Sequence, residues 1–147
     1  GEWIQTSRFD NLEKLKSMIK KIKKYDAVII PAALSDFIPI NTKGKLDSSK
    51  SISLKMKKAP KIIGIIRKKH KGLLYAFKLS AGITDKELIQ KAGSLLKDAD
   101  CVIANHSDAM GAKKSKIAIV EEKNVEWLEG SKNMLSRKIL EKISTEI

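Results

Sequence analysis

Three places in this 147-residue sequence carry side chains that could do chemistry on a bound molecule. The first is Ala32-Ala33-Leu34-Ser35-Asp36-Phe37, directly after the apolar run Ala27-Val28-Ile29-Ile30-Pro31. Small residues let a ligand approach the backbone, and a carboxylate just beyond can accept hydrogen bonds from hydroxyls or amines. The same residues also suit a plain strand-end turn in which Asp36 bonds nearby backbone. The second is Lys45, which follows Gly44 in a stretch without hydrophobic periodicity. A lysine on a glycine-containing loop can close over phosphates and neutralise developing charge; otherwise it is one more solvated lysine. The third is Asn105-His106, after the run Cys101-Val102-Ile103-Ala104. Asparagine there can orient a ligand or cap a turn.

Other chemistries find less support. His106 has only the distant His70 as a second histidine, and Cys101 sits inside an apolar run. Neither a metal site built by the protein nor a Cys–His nucleophile is expected. The sequence contains no glycine-rich dinucleotide fingerprint, no phosphate-binding loop of the Walker type and no serine elbow.

The hydrophobic pattern says what must hold these residues. Leu12, Leu15, Met18, Ile19 and Ile22 recur at helical spacing, so residues 10–24 are expected to form a helix capped by Asp10 or Asn11. Ala27–Ile30 is too short for a helix and reads as a strand buried on both faces. Residues 35–51 read as a long loop of the kind often used as a lid or binding loop. Ile52–Met56 alternates, as a half-buried strand does. Pro60 is placed to open a helix through Ile62, Ile63, Ile65 and Ile66, closed by Gly72. Leu73–Phe77 is a second buried strand; Thr84 to Glu87 resembles a capping box for a helix through Leu96. Cys101–Ala104 is a third. Ile117–Val120 and Val125–Leu128 fit a hairpin, and Ser131 caps a last helix with Met134, Leu135, Ile139, Leu140 and Ile143 facing the core.

The order predicts one α/β domain over residues 1–147, with a mostly parallel sheet followed by a hairpin and helix. Ligands of open α/β sheets bind beyond the carboxyl ends of strands. Asp36, Phe77-Lys78 and Asn105 stand at those ends.

The formal charge of +13 favours anionic partners: phosphorylated small molecules, nucleic acid or anionic lipid. Lysines dominate and aromatics are 5% of residues, whereas nucleic-acid readers mix arginine and aromatics into such patches. No apolar run approaches the roughly 18 residues that span a bilayer, and the first residues do not resemble a secretory signal. A lone cysteine excludes an internal disulfide and agrees with a reducing cytoplasm. The sequence begins with Gly1 rather than Met, as a piece of a longer chain would.

Taken in order, these segments resemble phosphopantothenate–cysteine ligases. Asp26 to Pro39 is similar to that family's D-x-x-x-x-x-A-A-x-x-D-(F/Y)-x-P segment. Gly44-Lys45-Leu46, Ser48-Ser49 and Leu54 resemble its G-K-(I/L)-x-S loop and following strand. Ala59-Pro60-Lys61-Ile62 resembles its helix start, Ala76-Phe77-Lys78 its G-F-(A/K)-x-E, and Val102-Ile103-Ala104-Asn105 its (I/V)-V-A-N-D. The resemblance covers most of residues 26–120.

The resemblance implies a three-layer, modified Rossmann-like fold, a homodimer, CTP as co-substrate and Mg2+. The family joins 4'-phosphopantothenate to cysteine through an acyl-cytidylate, and can be fused to, or work beside, a flavin-dependent decarboxylase. By analogy Pro31, Ala32, Ala33 and Asp36 line the cytidine pocket, and Lys45 is the catalytic, phosphate-holding lysine. Pro60, Lys61, Ile62 and Ile63 present a helix amino terminus to the nucleotide, and Phe77 packs against it. Lys91 and Lys97 are approximate stand-ins for an A-x-x-K-x-x-x-K pattern of phosphate contacts, whose strict places fall on Leu95 and Ala99. Asn105 lies on the substrate side. Ser80, Ala76 and His106 replace the family's Glu, Gly and Asp, and its N-x-S-S-G-x-M-G segment has no counterpart in these residues. By itself the chain is therefore expected to be an inactive part of the ligase. The alternative is a basic α/β domain that binds nucleic acid or a protein partner without catalysis.

Overall fold

A computed structural model describes residues 6–22, 25–31, 36–40, 53–107 and 114–147. Helix α1, Leu12–Lys20, starts where the Asn11 side chain accepts the Lys14 N–H, so Asn11 rather than Asp10 is the cap. It stops short of the expected residue 24: the Lys21 and Ile22 N–H groups turn back to the Met18 and Ile19 carbonyls. Strand β1, Ala27–Ile30, follows.

The stretch expected to be a loop contains strand β2, Phe37–Pro39, and its partner β3 is Met56–Lys58 rather than Ile52–Met56. They form a separate two-stranded antiparallel ribbon with Phe37 opposite Lys58 and Pro39 opposite Met56. The ribbon is extended by the Ile40 N–H on the Lys55 carbonyl and the Ala59 N–H on Asp36. Five of its six strand residues are exposed, so burial imposes no alternation from which register could be read.

Helix α2, Ile62–Lys69, opens after Pro60 and carries no side-chain cap and no acid in its first turn. Strand β4 runs Leu73–Ser80, three residues past Phe77. Helix α3, Asp85–Gly93, is opened by the full capping box between Thr84 and Glu87. Then come β5, Cys101–His106; β6, Lys114–Val120; β7, Val125–Ser131; and α4, Lys132–Glu146, capped by Ser131.

The main sheet has the order β1-β4-β5-β6-β7. The β1/β4 and β4/β5 pairs are parallel, and β5/β6 and β6/β7 antiparallel. The sheet is thus mixed: β6 alone runs against the other four, and β1 and β7 are the outer strands. Alternation along the strands makes three layers. Leu74, Ala76, Val102, Ala104, Ala118 and Val120 face α1, α2 and α3, where Ile19, Ile62, Ile66, Leu88 and Ala92 meet them. Tyr75, Cys101, Ile103, Ile117 and Ile119 face Leu135, Ile139 and Ile143 of α4, whereas Met134 and Leu140, expected to face the core, are exposed. Each large aliphatic side chain buried this way contributes about 1.5–3 kcal/mol.

The amino edge of the sheet is fastened by a polar cluster. Arg67 Nη1 meets Asp100 Oδ2 at 2.8 Å, and Nη2 donates to the Gly72 carbonyl at 2.7 Å. Asp100 Oδ2 also accepts the Leu74 N–H at 2.7 Å. Gly72 passes so close to β1 that a Cβ there would lie 2.4 Å from the Asp26 carbonyl oxygen.

Candidate functional site

A cleft with about 380 Å³ of free volume lies between α2 and α3, over the carboxyl-terminal part of β4. Its wall begins at Ile30, the last residue of β1, and continues through Asp36 and the Ala59–Pro60 lead into α2. Parallel strands bring the β1 and β4 ends side by side, with Ile30 opposite Ala76. Phe77, Lys78 and Leu79 therefore emerge next to Ile30.

Eight residues singled out in the sequence line this one cleft: Asp36, Pro60, Lys61, Ile62, Ile63, Phe77, Lys91 and Lys97. Pro31 is exposed beside Ile30 but is not part of the lining. Asn105 is separate: it sits on β5, half-buried, with its amide donating to the His106 carbonyl at 3.4 Å. Ala32, Ala33 and Lys45 lie outside the described residues.

Lys78, marked with Phe77 at a strand end, also lines the cleft, while sequence reasoning missed Ser94, Leu95 and Asp98. A signal for them was present. Lys91, Ser94, Leu95 and Asp98 fall at i, i+3, i+4 and i+7, one helical face.

The cleft is electropositive. Lys61, Lys78, Lys91 and Lys97 line it against two carboxylates, Asp36 and Asp98. None of these four lysines has an ion-pair partner among the described residues. The start of α2 lies in the same wall, and its first-turn N–H groups have no capping side chain. Uncapped donors, the helix dipole and unpaired lysines together suit a polyanion such as a phosphate chain.

Two further polar groups stand apart from the cleft. At the carboxyl edge, His106 Nε2 and Lys116 Nζ each approach an Asp85 oxygen at 2.8 Å, and Lys116 lies 4.1 Å from the Trp127 ring centre. Bonding to Lys116 first, and then to His106, holds the Asp85 carboxyl below its ordinary range. On the other face, Tyr75 donates to Glu146 at 2.6 Å, and Lys142 bridges Glu121 at 2.8 Å and Glu146 at 3.0 Å. Burial pushes the Cys101 thiol up to about 12. It is buried against α4 as an inert core residue.

The layered α/β sheet, with an electropositive cleft where parallel strands end, defines a Rossmann-like domain. The chain belongs to the family described as the DNA/pantothenate metabolism flavoprotein C-terminal domain, whose model matches residues 5–147. It is 32% identical over 136 residues to the coenzyme A biosynthesis bifunctional protein CoaBC of Methanocaldococcus jannaschii, covering 89% of this chain and 34% of that protein. The chain thus spans about a third of the length of the curated relatives it matches. Among solved structures, the DNA/pantothenate metabolism flavoprotein from Streptococcus pneumoniae superposes with a TM-score of 0.80 at 25% identity, covering 93% of this chain and 71% of that one. A Cab2 mutant in complex with phosphopantothenate-cysteine shares the fold, with a TM-score of 0.67 at 16% identity, covering 89% and 48%. Among the described residues no helix is long and apolar enough to cross a membrane.

Proposed function

We propose that this chain is the nucleotide-binding part of a phosphopantothenate–cysteine ligase of coenzyme A synthesis. The observation that carries the reading is the convergence of Asp36, Pro60–Ile63, Phe77, Lys91 and Lys97 on one cleft, although they are scattered over some sixty positions of sequence. Membership of the family, and relatives named as coenzyme A biosynthesis proteins, support the same reaction.

In this reading CTP lies in the cleft. Lys61, Lys91 and Lys97 take the phosphates, the start of α2 lies against the nucleotide, Asp36 with Pro31, Ala32 and Ala33 takes the cytidine, and Phe77 packs against it. Lys45 closes over the phosphates from its loop and Asn105 faces the acyl substrate. The carboxylate of 4'-phosphopantothenate attacks the α-phosphorus and pyrophosphate leaves; the cysteine amine then displaces CMP from the acyl-cytidylate. A carboxylate attacking a polyanion is opposed by like charge, and the lysines lower that opposition. Magnesium carried by the triphosphate would share this neutralising task. A homodimer would cover the exposed Phe37 and Met56 of the ribbon, and a flavin-dependent decarboxylase would act beside this part or fused to it.

Calorimetry with CTP and Mg2+ tests the reading, with Asp36→Ala and Lys45→Gln as comparisons. Binding that both substitutions weaken at least tenfold is expected. Absence of CTP binding, together with salt-sensitive binding to random oligonucleotides, would favour a basic nucleic-acid-binding domain instead.

A further inference from the structure

Asp98 is an acid in a place built for anions. It lines the cleft together with Lys61, Lys78, Lys91 and Lys97. Its carboxylate rests against the first turn of α2: a Cβ on Gly64 would lie 3.4 Å from Oδ2 and 3.5 Å from Oδ1. The side chain is half-buried, and among the described residues no hydrogen bond or ion pair engages it. On a chain with 30 lysines and arginines against 17 acids, an acid unpaired amid lysines is conspicuous.

An acceptor-only group in such a cleft constrains what can lie against it. A phosphate oxygen would meet like charge in a partly desolvated setting and be repelled. A neutral N–H or O–H donor would instead gain a charge-assisted hydrogen bond. Nucleosides carry two such donor sets, the amino group of the base and the ribose hydroxyls.

We propose that Asp98 is the specificity-determining residue of this cleft, accepting a hydrogen bond from a neutral donor of the nucleoside while the lysines take the phosphates. The proposal rests on the nucleotide-ligase reading of the cleft and adds to it the residue that selects the nucleoside. Selection through a charged acceptor is worth more than selection by fit, because an analogue lacking the donor leaves a desolvated carboxylate unpaired.

Binding of CTP, UTP and 2'-deoxy-CTP, each with Mg2+, to the parent and to Asp98→Asn and Asp98→Ala tests this directly and needs no turnover. The parent should prefer CTP over at least one analogue by about 10- to 100-fold, and that preference should fall to within about threefold in both variants. Loss of the CTP/UTP preference assigns the base amino group as the donor; loss of the CTP/deoxy-CTP preference assigns the ribose. Preferences that persist in both variants would overturn the proposal. So would an equal loss for all three nucleotides that deepens as Mg2+ is withdrawn, because Asp98 would then be holding the metal. If the parent binds no nucleotide, the ligase reading itself falls, an outcome distinct from those two. Melting temperatures within a few degrees of the parent are expected for both variants, because no hydrogen bond is removed.

Discussion

Arg67 and Asp100 are joined at 2.8 Å across the amino edge of the sheet, and each also holds backbone that belongs to neither of them. Arg67 donates to the His70 and Gly72 carbonyls, while Asp100 accepts the Leu74 N–H. The pair therefore sets where α2 ends and where β4 begins beside β5. An exposed ion pair alone is worth little, but here its loss leaves backbone groups without partners. Arg67→Ala and Asp100→Ala should each lower stability by about 1–3 kcal/mol in urea denaturation. Replacing both together should cost less than the sum of the two, because they share one network.

Glycines at three positions should respond to alanine in different directions. Gly72→Ala drives a methyl group into the Asp26 carbonyl at 2.4 Å and the Tyr25 carbonyl at 2.9 Å, both backbone. It should cost about 1–3 kcal/mol, as overpacking does. Gly82→Ala, at φ of 62°, meets nothing within 4 Å but strains the chain, for about 1 kcal/mol. Gly93→Ala, in α3 with open space around it, should stabilise by about 0.5–1 kcal/mol. Thermal melts of the three variants give the order directly.

Stability should be lost on the alkaline side first. The Cys101 thiol is pushed up to about 12 from 9.0, chiefly by burial. Burial, followed by the bond to Glu146, also raises the Tyr75 phenol above its ordinary 10.0, and the hydrogen bonds that Lys142 donates to Glu121 and Glu146 raise its ammonium. A raised folded-state value means that the folded chain keeps a proton that the unfolded chain gives up. The stability contributed is complete below about pH 9 and is lost as pH climbs through the folded values. Urea midpoints at pH 8, 9.5 and 11 should fall in that order, and Cys101→Ala should flatten the fall that starts near pH 9.

Lys91→Gln and Lys97→Gln should each weaken CTP binding about threefold to fivefold, the scale of a partly solvated charge pair. The effect should shrink as salt rises. Titrations at two ionic strengths separate this from a change in the shape of the cleft, which salt would leave in place.

Phe37→Ser with Met56→Ser removes two exposed apolar side chains from one face of the ribbon, where Phe37 and Met56 stand at 53% and 49% exposure. Sedimentation should show a dimer in the parent and a shift toward monomer in the double variant.

The elements whose burial is asymmetric could be read from sequence. Leu74, Ala76, Val102 and Ala104 sit in continuous apolar runs because both faces of their strands are covered. Thr84 and Glu87 mark a helix start because the capping box is a local bond. The ribbon could not be read: β3 is exposed at every position, so its place depends on its partner β2 and not on its own pattern. The cleft was legible by halves. Asp36, Pro60 and Phe77 follow strand ends or open a helix. Leu79 and Asp98 belong to it because β4 runs on to Ser80 and because the chain after α3 returns beside Gly64. Those are facts of tertiary packing.

The β6–β7 hairpin puts β7 at one edge of the sheet, and an outer strand invites unwanted pairing with another chain. Here Glu126 and Glu129 occupy it, and Lys132 follows directly where α4 begins. Another strand docking there would have to bring its own side chains against these charges. The hairpin thus acts as a fender on one side of the parallel half of the sheet, whose inner strands are rich in the apolar runs that aggregate when left uncovered.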